Sequence, residues 1–344
     1  MNPLRRGTIV AIAAAILFGA TTPLVKRFGA HTGPFATAAL LYAGSALGGG
    51  VWLPRGAPSR LAARWKRIAA VALLGAALAP ASLAFGLQHS GALAGALLLN
   101  CEAVFTVYLA RAIYREPLGT RVIVATLSMV TGGVLLALRA RAGGESTTLG
   151  LVAIVVATFA WALDNTLTRA LADFEPREVV LAKSALGGLL STAFAVGFGE
   201  PWAEWWAAIG LVVSGVFGYG FSLRLYLRAQ RELGAARTGS LFSVAPFVGA
   251  MLAFAAGDRE QALLVAGAAV AFCFAIYLHA TEQHHHLHHH EPVEHEHAHR
   301  HDDGHHMHVH DFEVIGEHTH RHRHEAVEHD HPHGADLHHR HEHD

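Results

Sequence analysis

The sequence predicts an all-α integral membrane protein: ten transmembrane helices in two inverted five-helix repeats, followed by a disordered tail. Three observations carry that expectation. Residues 1–281 are a succession of apolar runs rich in Gly and Ala, each near the ~20 residues a helix needs to cross the hydrocarbon core. Ala153–Arg169 (AIVVATFAWALDNTLTR) echoes Ala11–Arg27 (AIAAAILFGATTPLVKR) at a fixed offset, with Ala, Ile, Ala, Ala and Arg recurring in register. Basic residues alternate between rich and poor connections along the chain, as they do when successive helices cross in opposite directions.

The ten runs fall at about 8–26, 34–53, 67–87, 91–112, 119–138, 149–170, 178–198, 205–223, 234–256 and 260–280. The first follows Arg5 and Arg6 as a secretory signal would, but it continues through Thr21 and Thr22 to Val25 and is read as an uncleaved span. Connections are short, so no soluble domain fits between spans. The longest, 139–148, is the seam between a first repeat (1–138) and a second (149–281). Five spans per repeat is an odd number, so the second repeat must be inverted relative to the first, and a substrate site is expected near the midplane where they meet. With the N-terminus inside, cytoplasmic segments hold sixteen Lys and Arg and outer segments five. Both termini are therefore expected in the cytoplasm, at a bacterial plasma membrane. A second echo pairs residues 97–116 with 240–260, each an apolar run ending in Glu116 or Glu260. Gly44 with Gly48, and Gly91 with Gly95, have the spacing that lets membrane helices approach closely, and packing is the role expected of them.

The motifs FGATTPLVK (18–26), LNCEAVFTVYLARAIYREPL (99–118), WALDNTLTR (161–169) and SLFSVAPFVGAMLAF (240–254) together resemble the EamA-type members of the drug/metabolite transporter superfamily. The resemblance covers roughly residues 8–280 and leaves the tail outside it. It implies two five-helix repeats and secondary transport of a small molecule, often outward. One departure is visible: where such repeats often carry Pro in the fourth helix, the second half has Pro246 but the first has Ala103.

Ionisable groups in the middle of a span cost several kcal/mol unless paired or hydrated, so each is a functional candidate. Glu102, Asp164 and Lys183 are the foremost. Asp164 and Thr168 share a helix face with Asn165 adjacent, while Asn100 and Glu102 form a second polar cluster in the other half. These six residues are the candidates for a transport cavity, with Asp164 or Glu102 alternating between protonated and charged forms. Two structural alternatives stay open: Lys183 could neutralise one of the carboxylates, or reach the cytoplasmic surface along its aliphatic stem. Arg224, at the end of the eighth run, reads as a topological anchor.

Averages hide the tail. Residues 1–281 hold 22 Lys and Arg against 12 Asp and Glu, whereas residues 282–344 hold 25 of the 28 histidines, with 15 acidic residues against four arginines. Neutral imidazole is a good ligand for Zn, Ni, Co and Cu, and alternation along an extended chain brings every second side chain to one side. The candidate ligands are His284, His285, His286, His288, His289, His290, His295, His297, His299, His301, His318, His320, His322 and His324. The segment lacks a hydrophobic set large enough to fold alone, so it is expected to be disordered and to order locally on metal. A pH-responsive brush is the alternative.

Cys101 and Cys273 both lie in apolar runs without a C-x-x-C spacing, which argues against a disulfide framework or a thiolate zinc site. No nucleophile–base set, phosphate loop or catalytic metal motif is visible, so an enzyme is not expected. The leading expectation is a secondary transporter exporting a small polar solute or metabolite, with a metal-binding cytoplasmic tail and no cofactor required for transport. Behind it stand a divalent transition-metal exporter fed by the tail, and a membrane-anchored metal or pH sensor. The expected partners are the lipid bilayer, a small-molecule or metal-ion substrate and, in a homodimer, a second copy of the chain; nucleic acid is not among them.

Overall fold

A computed structural model of the chain describes residues 3–50, 64–114, 120–141, 146–168, 171, 174–233, 238, 241–257, 262–280, 287–289, 294–299, 318–323 and 328–330. It divides into a helical body and a separate tail unit, Gln283–Ala335.

In the body the apolar runs become helices, as length and composition require. They are α1 (Pro3–Gly19), α2 (Thr21–Phe28), α3 (Pro34–Gly50), α4 (Trp65–Leu73), α5 (Ala79–Gln88), α6 (Ala92–Leu98) and α7 (Cys101–Tyr114). There follow α8 (Thr120–Arg141), α9 (Thr148–Thr168), α10 (Pro176–Gly197), α11 (Trp205–Ser214), α12 (Ser222–Leu233), α13 (Ala245–Ala255) and α14 (Ala262–Ala280). Among the described residues, five helical stretches are long and apolar enough to span a membrane: Arg5–Phe28, Trp65–Gln88, Thr148–Thr168, Pro176–Gly197 and Trp205–Gln230. The outer surface is apolar, with Leu149, Val152, Val156, Leu189, Leu263 and Val270 all exposed. Water would penalise such a face, whereas lipid does not.

The ten expected runs differ from the helices in informative places. The fourth, 91–112, is broken at Leu99–Asn100 into α6 and α7. There the backbone tightens to three-residue bonds, Leu99 N–H to the Ala96 carbonyl and Asn100 N–H to the Leu97 carbonyl, both 3.2 Å. Asn100 Nδ2 donates to the Leu97 oxygen as well (2.9 Å), offering the chain an alternative to continued α-helix. In the ninth run Leu241 and Phe242 are helical, a turn follows at Ser243–Val244, and α13 begins at Ala245, with Pro246 in its first turn where a missing N–H costs nothing. The eighth run continues past 223 because α12 carries an amphipathic, basic extension.

Two stretches open into π-helix, Leu74–Leu78 between α4 and α5, and Gly215–Phe221 between α11 and α12. Such widened turns free backbone carbonyls for other partners and recur at functional sites. Their packing is reciprocal: α3 lies against α10 and the Gly215–Phe221 turn, while α10 lies against α3 and the Leu74–Leu78 turn. Small residues permit this. A Cβ on Gly44 would overlap the Val212 carbonyl, and one on Gly48 would lie 2.8 Å from that of Val216, so backbones meet as the i, i+4 glycines suggest. Ser45 and Ser184 share a hydrogen bond across the α3–α10 seam (2.7 Å).

The tail unit has β1 (Leu287–His289), β2 (Glu294–His299), β3 (His318–Arg323) and β4 (Glu328–Asp330). β1 pairs antiparallel with β4, and β2 with β3. Where disorder was expected, these residues pair as strands; the alternating pattern has the period-2 repeat a strand needs. Among the tail candidates, His284, His285, His286, His290, His301 and His324 lie outside the described residues.

Candidate functional site

The body contains a partly open cavity of about 80 Å³ whose wall is assembled from distant parts of the chain. α1 supplies Phe18, α3 Tyr42, α7 Glu102, α9 Trp161, Asp164 and Asn165, α10 Lys183, the second π-turn Gly218 and Tyr219, and α12 Ser222, Leu223 and Tyr226; Phe242 precedes α13. Each charged group reaches the wall for a local reason. The break at Leu99–Asn100 starts α7 beside Glu102, which places this carboxylate in the first turn, where the helix dipole favours negative charge. Asp164 and Asn165 lie in the last turn and a half of α9. Lys183 sits two turns into α10.

The two carboxylates are held differently. Lys183 Nζ donates to Asp164 Oδ2 in a buried ion pair, with the two side chains 5% and 2% exposed. Thr168 Oγ1 donates to the other oxygen of Asp164 (3.3 Å). Glu102, half-buried, accepts from Asn165 Nδ2 (2.6 Å), and among the described residues no cation lies within ion-pair range of it. The structural alternative for Lys183 is thus realised on Asp164, 19 residues earlier on the preceding helix α9, and not on Glu102.

Gly75, in the first π-turn, fits against Asp164. A Cβ there would overlap the Asp164 carboxylate, so only glycine leaves room for the ion pair. The Gly75 carbonyl accepts from Tyr42 Oη (2.6 Å) and Trp161 Nε1 (3.1 Å), which fixes two of the aromatic walls. The aromatic lining is continuous: Phe18 meets Trp161, Tyr219 and Phe242 edge-on or tilted at centroid distances of 5.8, 5.6 and 5.5 Å. Tyr42 lies 5.4 Å from Tyr219, and Tyr226 lies 4.9 Å from Phe242.

Of the six sequence candidates, Glu102, Asp164, Asn165 and Lys183 line the cavity, and Thr168 supports Asp164 from behind. Asn100 does not join them: its amide turns to its own backbone and its Oδ1 is buried without a partner. Arg224 donates to the Gly48 carbonyl (2.9 Å) and lies 5.5 Å from the Phe221 ring centre, an anchoring role. The sequence reading missed the aromatic wall and Gly75. Tyr42 and Trp161 in mid-run were the available signal, since such residues in membrane proteins otherwise gather at the interfaces; Tyr219 near a run's end and Tyr226 beyond it gave none.

An all-α bundle with an apolar exterior and a polar cavity inside is an integral membrane protein. Residues 5–138 and 148–280 each match the EamA-like transporter family, and the chain belongs to that family. An uncharacterized transporter of Methanothermobacter thermautotrophicus is 32% identical over 194 residues, which is 53% of this chain and 55% of that protein. The match therefore spans about half the length of that curated relative. A solved crystal structure, described only as that of a protein, is similar with a TM-score of 0.60 at 19% identity, covering 80% of this chain and 98% of its own. At that identity the likeness concerns the fold alone.

Proposed function

We propose that the protein is a secondary transporter exporting a small polar solute, that the aromatic cavity is its binding site, and that the cytoplasmic tail binds transition metals. One observation carries the reading: Glu102 from the first family repeat meets Asp164, Asn165 and Lys183 from the second in a single cavity. Charged groups inside a membrane bundle are costly and mark substrate and ion pathways. A binding site where two repeats meet is also where alternating access by rocking one against the other would act.

The chemistry divides between the two carboxylates. The Asp164–Lys183 pair is closed and formally neutral, so it suits a fixed polar support. Among the described residues the Glu102 carboxylate has a neutral amide as its hydrogen-bond partner; a carboxylic acid also accepts from that amide, more weakly, so Glu102 can exchange a proton or a polar group of the solute while keeping the contact. Its bond to Asn165 joins side chains from the two repeats and would be made or broken as they rock. Aromatic faces then contact the apolar part of the solute. The divalent-metal alternative gains nothing here, since Lys183 already occupies Asp164 and the lining residues include no imidazole or thiolate. A membrane-anchored sensor would have no use for the cavity. The sixteen-to-five bias of basic residues supports cytoplasmic termini.

The test is reconstitution in liposomes containing a pH-sensitive dye, challenged with small amino acids, polyols, organic cations, and Zn, Ni, Co and Cu ions. A solute-dependent proton flux is expected for an organic class, reduced at least tenfold in Glu102→Gln and Asp164→Asn. If both variants perform like the parent at every pH, the cavity is not the transport site.

A further inference from the structure

A packed layer separates the cavity from one end of the bundle, the end where α2 joins α3 and α5 joins α6. Val25 follows Phe18 along α1 and α2, Leu83 and Leu87 follow the Gly75 turn along α5, and Leu41 precedes Tyr42 on α3. All four are at most 1% exposed and belong to one core cluster. In the other direction the wall continues along α12 through Leu223 to Tyr226.

One side chain bridges the closed end. Gln88, the last residue of α5, donates from Nε2 to the carbonyl oxygens of Gly29 and Thr32, each at 2.7 Å. Both acceptor residues are buried in the α2–α3 connection. Carbonyls only accept, so the amide nitrogen with its two N–H groups is the end of Gln88 that must face them. Next to Gln88 the chain is fixed to the start of α9: the His89 carbonyl accepts from the Thr147 N–H (2.8 Å) and from Thr147 Oγ1 (2.9 Å). Across from it, the Phe28 ring of α2 lies 6.1 Å from Trp206 and fills the space that a Cβ on Gly210 would take. Gln88 thus ties a group containing α5 and α9 to one containing α2 and α11.

We propose that Gln88 is the latch of this end, closed in the present structure and released when the cavity opens here. The inference rests on the reading of the cavity as a transport site, and it names the side chain that sets the balance between two states of that site. Two backbone carbonyls suit a reversible latch. While the end is closed they are sheltered, and a buried carbonyl without a donor is costly. When the end opens, water reaches the carbonyls and the Gln88 amide alike, so release leaves no polar group unpaired. The layer beneath is held by apolar contacts, which are not directional, so the two hydrogen bonds are what fixes α5 against the α2–α3 connection. Glutamate at position 88 would keep the size of the side chain and turn a carboxylate oxygen toward each carbonyl. Methionine would keep the length and lose the donors. On the proposed topology this is the outer end, so the latched state is the one that takes up a cytoplasmic solute.

The test is thiol labelling of the full-length protein in detergent micelles with a water-soluble maleimide. The background carries Cys101→Ala and Cys273→Ala. Single reporters are Val25→Cys in the packed layer, Leu223→Cys on the cavity wall, and Ala268→Cys, buried in α14. In Gln88→Glu, Val25→Cys is expected to label about tenfold faster, the order of losing two hydrogen bonds. Leu223→Cys should label more slowly, because opening one end closes the other, while Ala268→Cys keeps its rate. Gln88→Met should move the first two reporters the same way by less. An unchanged Val25→Cys rate in both variants overturns the latch. Faster labelling of Val25→Cys without slower labelling of Leu223→Cys also overturns it, since that is loosening without a change of state. No solute is present, so either failure leaves the transport reading standing. If instead Glu102→Gln and Asp164→Asn both transport like the parent, the transport reading fails and takes the latch with it, whatever the labelling shows.

Discussion

Asp164 and Glu102 occupy one cavity, are both carboxylates, and are held in opposite ways. Asp164 is 1% exposed, paired with Lys183, supported by Thr168 and roofed by a glycine that admits nothing larger. Glu102 is half-buried, stands at a helix start, and has a neutral amide for a partner. On the proposed reading, that difference separates support from action. A closed ion pair in a tight socket resists any change of charge, because losing one member strands the other in a medium that cannot solvate it. A carboxylate with an amide partner keeps that bond, in weaker form, when it is protonated, and strands no opposite charge. On the proposed reading, the second family repeat supplies the rigid element through Asp164 and Lys183, and the first the responsive one through Glu102.

The largest effect should come from breaking the rigid side. Lys183→Met would leave Asp164 buried and unpaired, and a stability loss of about 3–5 kcal/mol is expected for removing one partner of such a pair. It would be read as the midpoint of unfolding in detergent by tryptophan fluorescence. Asp164→Asn combined with Lys183→Met should recover most of the loss, since it removes both charges. A single variant as stable as the parent would mean that the pair is not desolvated.

Next in size is the socket. Gly75→Ala adds a methyl where the Asp164 carboxylate already lies. Either the ion pair moves or the π-turn shifts and takes with it the carbonyl that holds Tyr42 and Trp161. Overpacking of this kind costs about 1–3 kcal/mol. Gly133→Ala in α8 is the control. Its added Cβ would sit 3.8 Å from Leu98 Cδ2, an ordinary contact, and alanine gains roughly 0.5–1 kcal/mol over glycine within a helix. Opposite signs in the two variants are expected; equal signs would remove the argument for a socket.

Much of this was legible in the sequence. Apolar runs and the scarcity of charge within them announced the helices, and the echo of Ala11–Arg27 in Ala153–Arg169 marked the two repeats that the family match covers. Glu102, Asp164, Asn165 and Lys183 stood out because polar residues at depth are rare. What a linear reading could not reach was partnership. Whether Lys183 meets Asp164 or Glu102 depends on how α9, α10 and α7 pack, and no spacing encodes that. The break at Leu99–Asn100 was hidden because the first half lacks the proline that marks its counterpart, and Asn100 there bonds its own backbone instead of joining Glu102. The π-turns leave no sequence signature beyond small residues such as Gly75 and Ala76. In the tail, the antiparallel pairing of residues 294–299 with 318–323 shows only in the fold, and a composition-based expectation of disorder passes over it.

The smallest stability effect should fall on the residue with the largest role. Glu102→Gln preserves an oxygen for the Asn165 amide and a side chain of the same length, so unfolding should shift by no more than about 1 kcal/mol. Solute-driven proton flux should nevertheless fall at least tenfold, because the amide can neither gain nor lose a proton. Glu102→Asp makes the complementary change: the charge stays, but the chain shortens by one methylene and the 2.6 Å bond to Asn165 cannot be kept at its present geometry. If the ionisable group is what transport requires, aspartate retains more flux than glutamine. If the bond between the repeats is what matters, glutamine retains more. A third result, both variants transporting like the parent, would place Glu102 beside Asp164 as support and erase the distinction between the two carboxylates.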